Sequence, residues 1–292
     1  MAKSIEQSFL QLKQNLEITS LQSSTVSTRQ KNVREALDKE LEIHETFLTG
    51  SYSRSTMIAP LSKADVDIFA VLPAKYFHHY DGKNGGQGGL LDLIKRAIQR
   101  TYPSTPRIGR NGQAVSITFT DFVVDVVPGF NMEGGGYIIP NSITSSWLRT
   151  DPTKHVDLFA AANKAHSGTL VPMAKMIKGW NKQNSEFFRS FHLEVLALGI
   201  FNNVTISDYP SGARFFFGKA HELIDKKNLD PAGYGDDIGR YINDGNVSDA
   251  RSRLATAYNR SVKAEKFSAD GKIESAVDEW RKVFGEYFPA YG

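Results

Sequence analysis

The sequence predicts an α+β chain in two parts. Short runs rich in β-branched and aromatic residues, Asp65–Leu72, Val115–Thr120 and Phe122–Val127, read as strands and lie in the first half. Amphipathic helices precede and separate them. From Asp151-Pro152 onward the apolar period changes from two to about 3.6, the helical repeat. The boundary is therefore placed at residue 150, giving a sheet-bearing lobe, 1–150, and a helical lobe, 151–292, with which the N-terminal helix is able to pack.

With 292 residues, 40% hydrophobic and 23% charged, the chain can bury an ordinary globular core. A net charge of +3 mildly favours polyphosphate substrates but is too small to mark a surface for duplex nucleic acid. The lack of cysteine excludes a disulfide scaffold, a thiolate zinc site and a cysteine nucleophile. No basic segment followed by an apolar one opens the chain, and no apolar run is long enough to span a bilayer. A cytoplasmic protein with no membrane partner is expected.

In order, Ser4 to Leu16 reads as a helix, with Ile5, Phe9, Leu12 and Leu16 at three- and four-residue spacing and Ser4 as its cap. A polar break, Thr19 to Ser27, leads to a second helix, Thr28 to Leu41, whose charges alternate in sign as on a solvated face. Within Pro73 to Gly89, the run Gly85-Gly86-Gln87-Gly88-Gly89 reads as a flexible loop before a helix, Leu90 to Arg100. Glycines ahead of a helix can cradle phosphate, but this run lacks the Walker lysine and the dinucleotide spacing. His78 and His79 are adjacent, face different ways and make a poor chelating pair. Val115–Thr120 and Phe122–Val127 form a hairpin with Asp121 in its turn, and Tyr137–Pro140 is one more short strand. In the helical lobe, Asp151 caps a helix to His166, with Pro152 in its first turn. Leu170 to Lys182 brings Lys175 and Lys178 to one side, and Ser190 opens a third helix. Ser211–Lys227, Asp236–Ile242, Ser248–Phe267 and Lys272–Phe288 read as further helices.

The residues suited to chemistry concentrate in two places. Gly50-Ser51-Tyr52-Ser53-Arg54-Ser55-Thr56 is a hydroxyl-rich turn whose glycine permits close backbone approach to a ligand and whose amides can converge on phosphate oxygens. It precedes Asp65-Val66-Asp67-Ile68-Phe69-Ala70-Val71-Leu72, where strand alternation puts Asp65 and Asp67 on one face. Hard divalent cations such as Mg²⁺ prefer oxygen ligands and often take only a few from protein. A solvated acidic pair at a strand start would read the same way. Asp125, alone inside Val123-Val124-Asp125-Val126-Val127, is a carboxylate too costly to bury without a counter-charge. If its strand lies beside the first, three carboxylates converge, a grouping best tolerated around a cation.

Gly50-Ser51, Asp65-x-Asp67 fourteen residues after the serine, and Asp125 before Val-Val-Pro resemble the DNA polymerase β-type nucleotidyltransferase superfamily. Within it the chain is most similar to the bacterial cGAS/DncV-like nucleotidyltransferases, which make cyclic oligonucleotide signals in anti-phage defence. Met173–Asn181, Ser190-Phe191-His192-Leu193-Glu194 and Asp230-Pro231 resemble the helical half of that family and of oligoadenylate synthases. The resemblance implies a bilobal fold with a mixed sheet, a helical lobe and the active site in the cleft. It implies two Mg²⁺ or Mn²⁺ ions held by Asp65, Asp67 and Asp125 as the catalytic carboxylates. It also implies nucleotide contacts from Gly50, Ser51, Arg54, Lys178 and Ser190, with Phe191 stacking on a base and Glu194 orienting a neighbouring basic group. The substrates would be nucleoside triphosphates, the product a cyclic di- or trinucleotide read by a downstream effector. In some relatives ubiquitin-like enzymes conjugate the C-terminal residue, here Gly292. Other readings are a superfamily enzyme modifying RNA, protein or a small molecule, and a nucleotide-sensing module without turnover. A glycosyltransferase with an Asp-x-Asp motif would leave Gly50-Ser51 and the helical half unexplained.

Overall fold

The computed structural model describes residues 3–104 and 107–292. By its contacts the chain forms two compact units, Ile18–Val156 and a second made of the segment up to Glu17 together with Asp157–Gly292. The division falls inside a helix, six residues beyond the boundary at 150 read from the sequence. The first turn of that helix stays with the strand leading into it.

The chain opens with α1 (Ile5–Asn15), capped by the Ser4 hydroxyl, which accepts from the Gln7 N–H. Then α2 (Ser20–Asp38) begins where the sequence suggested a polar break. Thr19 and Gln22 bond each other's backbone N–H groups in a reciprocal cap, and Val26 in the supposed break is fully buried. Its serines and threonines lower helix propensity only slightly, and the cap with one buried stripe outweighs that.

β1 (Glu45–Thr49) runs directly into one helical turn, α3 (Gly50–Ser53). After β2 (Asp65–Val71) come α4 (Ala74–Tyr80) and α5 (Gly86–Thr101), and α5 takes in most of the expected flexible loop. The glycine run is the start of α5. A Cβ on Gly89 would sit 2.2 Å from the Asn84 carbonyl oxygen, so the glycine serves close packing there. β3 (Ile108–Asn111), β4 (Ala114–Thr118), β5 (Val123–Asn131), β6 (Tyr137–Asn141) and β7 (Ser146–Thr150) complete the sheet.

The strand order is β1-β2-β5-β4-β3, with β6 pairing both β5 and β7. Among the described residues only β2 and β5 pair in parallel; Asp67 stands opposite Asp125 and Asp65 opposite Val123. The other pairings are antiparallel. Val66, Ile68, Val124 and Val126 enter a core shared with Val33 and Leu37 of α2 and Leu90, Ile94 and Ile98 of α5. The alternate residues, Asp65, Asp67, Phe69 and Asp125, therefore share the opposite face. There Phe69 stacks on Phe47 at 5.1 Å and contacts Tyr137 at 4.8 Å.

α6 (Pro152–Ala165) links the units, with Asp151 accepting from the Lys154 N–H at its start. The helical unit continues with α7 (Leu170–Gln183), α8 (Ser190–Ile200), α9 (Tyr209–Leu223), α10 (Val247–Ala269) and α11 (Ile273–Phe284). Phe9 of α1 is set edge-on among Trp280, Phe284 and Phe288, so the N-terminal helix is part of this core. Residues 236–242, expected as a helix, instead form turns: Leu229 bridges Asp237, whose carboxylate accepts from the Asn228 and Gly239 N–H groups. Asx bonding of this kind competes with helical hydrogen bonds. Among the described residues no helix is long and apolar enough to cross a membrane.

Candidate active site

The parallel pairing of β2 with β5 builds the carboxylate cluster. Asp65, Asp67 and Asp125 each offer an oxygen within 4.8 Å of the others. Asp65 is exposed and Asp67 half-buried, while Asp125 is 9% exposed. Burial is the main cause that holds the Asp125 carboxyl above the ordinary range; the Ser116 hydroxyl pulls the other way, and the nearby charge of Asp65 adds a smaller upward push. Ser116 stands opposite Asp125 in the β4–β5 register. Asp125 Oδ1 and Ser116 Oγ are both buried, and neither makes a hydrogen bond of ordinary geometry among the described residues. Three hard oxygen donors, one of them buried with an oxygen that makes no hydrogen bond of ordinary geometry among the described residues, fit a divalent cation.

Gly50 places the turn against this cluster. Its φ is +67°, and a Cβ there would sit 1.7 Å from Asp67 Oδ2. Both the backbone conformation and the approach to the carboxylate require glycine. The turn then closes on the Ser51 carbonyl, which accepts from the N–H groups of Thr56 at 2.9 Å and Met57 at 3.0 Å. The Tyr52 and Ser23 hydroxyls lie 3.3 Å apart, tying α3 to α2. Ser51 is half-buried, and Arg54, expected as a cation for phosphate, is buried at 9% exposure.

The remaining predicted residues belong to the helical unit. Lys178 donates to Glu194 at 3.0 Å, joining α7 to α8 with both side chains buried. Glu194 thus holds a basic group. Lys175 pairs with Glu17 at 2.6 Å. Ser190 is exposed at the start of α8, and Phe191 is half-buried beside it. The structure therefore gathers Asp65, Asp67, Asp125 and Gly50 in one cluster and Lys178 with the helix carrying Ser190 and Phe191 in another.

One residue escaped the sequence reading. Ser116 sits at a position of the Val115–Thr120 run that alternation places on the face of Asp125, and the hairpin register would have shown it.

A family model described as the Second Messenger Oligonucleotide or Dinucleotide Synthetase domain matches residues 3–163, more than half of the chain. A cyclic AMP-AMP-AMP synthase from an Acinetobacter species is 28% identical over 190 residues, 61% of this chain and about half, 52%, of that protein's length. A Bacillus cereus protein named as a probable cyclic nucleotide synthase is 25% identical over 273 residues, 83% of this chain and 81% of that one. The structure of Escherichia coli MS115-1 CdnC with ATP superposes with a TM-score of 0.78 and 18% identity, covering 98% of this chain and 99% of CdnC. CdnC in complex with HORMA-deltaN is similar at a TM-score of 0.77 and 19% identity, with 98% of each chain covered. With the carboxylate cluster and Gly50 turn set in that fold, the chain belongs to the Second Messenger Oligonucleotide or Dinucleotide Synthetase family, the cGAS/DncV-like nucleotidyltransferases that synthesise cyclic oligonucleotides.

Proposed function

We propose that this nucleotidyltransferase joins nucleoside triphosphates, in a metal-dependent reaction, into a cyclic di- or trinucleotide that acts as a second messenger in anti-phage signalling. The observation that carries the reading is the convergence of Asp65, Asp67 and Asp125 within 4.8 Å, beside a glycine that admits nothing larger. These carboxylates would hold Mg²⁺ or Mn²⁺, which when bound supplies charge neutralisation for the triphosphate and for the attacking hydroxyl.

In each transfer a ribose hydroxyl oxygen forms a bond to the α-phosphorus of a triphosphate, the bond to pyrophosphate breaks, and the hydroxyl proton leaves. Asp125 is the carboxylate suited to the acceptor hydroxyl and its proton, being recessed beside Ser116. Gly50 and Ser51 would bind the triphosphate through the turn, with Arg54 buried behind it. Lys178, oriented by Glu194, and Ser190 at the start of α8 would bind phosphate, and Phe191 would stack on a base. Such stacking is sequence-tolerant and contributes about 1–3 kcal/mol per base. The ATP in the CdnC structure supports a nucleoside triphosphate as substrate, and the HORMA-deltaN complex supports binding of a protein partner. An effector would read the product.

The test is incubation with all four ribonucleoside triphosphates and Mg²⁺ or Mn²⁺, followed by phosphatase digestion and mass spectrometry. A phosphatase-resistant cyclic product from the wild type, absent from Asp65→Ala/Asp67→Ala, is expected. Label transferred to added RNA or protein instead would replace the synthase reading with that of a macromolecule-modifying enzyme.

A further inference from the structure

Residues 224–246, between α9 and α10, contain no long helix or strand, yet their backbone is held closely. Asp230 accepts from the Ala232 and Gly235 N–H groups at 3.0 and 2.9 Å, and Asp237 Oδ1 accepts from Asn228 and Gly239, both at 2.9 Å. Asn246 Nδ2 donates to the Tyr241 carbonyl at 2.9 Å. What this frame presents is the Tyr241 phenol. Its hydroxyl accepts from the backbone N–H of Arg189 at 2.9 Å and lies 2.9 Å from His192 Nδ1. The Arg189 guanidinium lies 4.6 Å over the Tyr241 ring, and the His192 ring meets it edge-on at 5.5 Å.

A phenol has one proton to give. The Arg189 N–H can only donate, so the Tyr241 hydroxyl accepts there and keeps its own proton to give to His192 Nδ1 in the tautomer protonated on Nε2. His192 is 1% exposed, and a Cβ on Gly239 would come 3.1 Å from its Cε1, so the ring is backed on its far side. Arg189 is the N-cap residue of α8 but contributes no side-chain cap. The start of this helix is therefore anchored from outside, through the two residues that flank Ser190 and Phe191.

We propose that Tyr241 is a positioning residue for nucleotide binding: by bonding Arg189 and His192 with one hydroxyl, it fixes how α8 presents the Ser190 hydroxyl and the Phe191 ring. This rests on the reading of Ser190 and Phe191 as nucleotide contacts.

Tyr241→Phe keeps the ring, its contact with the guanidinium and its edge contact with His192, and removes only the hydroxyl. In the whole protein, the peptide spanning 189–193 then exchanges its amide hydrogens faster while α10 and α11 stay unchanged. KM for the triphosphate rises about three- to tenfold, the scale of one lost hydrogen bond, and kcat stays within about twofold because the carboxylate cluster is untouched. His192→Asn, whose side-chain oxygen can accept in place of Nδ1, keeps wild-type values; His192→Leu reproduces Tyr241→Phe, and the two changes together add nothing further. Unchanged exchange at 189–193 in Tyr241→Phe overturns the anchoring, and faster exchange with an unchanged KM overturns the positioning role. Ser190→Ala and Phe191→Ala that bind triphosphate like wild type would remove the nucleotide reading of α8 and the positioning role with it, while the exchange result still decides the anchoring.

Discussion

Gly50 meets the strictest steric demand near the carboxylates. Its φ of +67° costs a residue with a Cβ about 1–2 kcal/mol, and the added atom would have to displace Asp67 Oδ2, 1.7 Å away. Gly50→Ala should therefore lower turnover by about a hundredfold or more, as misplacement of a reacting group by about 1 Å does, with a modest fall in thermal stability. A wild-type rate would mean that Asp67 does not hold a catalytic position. His192 gives a second check at this scale. Burial is the chief cause that pushes its pKa down from 6.5 to about 4, the Arg189 charge also lowers it, and Asp237 opposes them. Between those pH values the unfolded chain binds the proton and the folded chain does not, so stability rises with pH across this window and is lost as pH falls through it. A fall from 6.5 to about 4 corresponds to about 3 kcal/mol. Thermal unfolding from pH 7 to pH 4.5 should show a shallower pH slope in His192→Asn; equal slopes would contradict the buried neutral imidazole. Asp65, Asp67 and Asp125 were legible as a group because acids at alternate strand positions, and one acid inside an apolar strand, are unusual for opposite reasons: the pair is convergent, the single one is costly. Ser116 and Tyr241 were not, since a serine in a strand and a tyrosine in a turn-rich segment gain meaning only from the residue opposite.

The Lys178–Glu194 pair, 6% and 0% exposed, is the charged tie between α7 and α8. Removing one member of such a pair costs about 3–5 kcal/mol, whereas replacing both with apolar groups of similar size is often neutral. Glu194→Ala should thus shift chemical denaturation to markedly lower denaturant, and Lys178→Met/Glu194→Leu should recover most of the loss while binding triphosphate weakly. If the double variant bound triphosphate normally, Lys178 would be a structural residue only. Elements with strong local signals were legible: α1 from its cap and spacing, β2 and β5 from their β-branched runs, α7 from its apolar stripe. The errors followed from rules that tertiary context overrides. Serine and threonine suggested a break where Thr19 and Gln22 cap a helix. Glycines suggested a loop where they permit close packing at the start of α5. β3 and β7, four and five residues long and half exposed, fall below what period-two alternation can reveal.

At the scale of the molecule, the decisive pairing is β2 beside β5, parallel and with about fifty residues between them. Nothing local dictates it. It follows from requiring a partner for Asp125 and cover for Val66, Ile68, Val124 and Val126 at once. The same pairing leaves like charges side by side, with Asp125 buried and its Oδ1 without a hydrogen bond among the described residues. The sheet is held together in spite of this cluster, so a ligand that neutralises it must stabilise the unit carrying it, by mass action on the folded state. Hydrogen exchange measured on the whole chain with and without Mg²⁺ should show added protection in β2, β5 and the turn at Gly50, and none in α10 or α11, which belong to the other unit. Asp125→Asn offers the control: with one charge removed, the cluster repels itself less and binds the cation more weakly. That variant should show β2 and β5 better protected than wild type before Mg²⁺ is added, and little change afterwards. Mg²⁺ protection spread evenly over both units, or persisting in Asp65→Ala/Asp67→Ala, would place the cation elsewhere and separate the carboxylate cluster from metal binding.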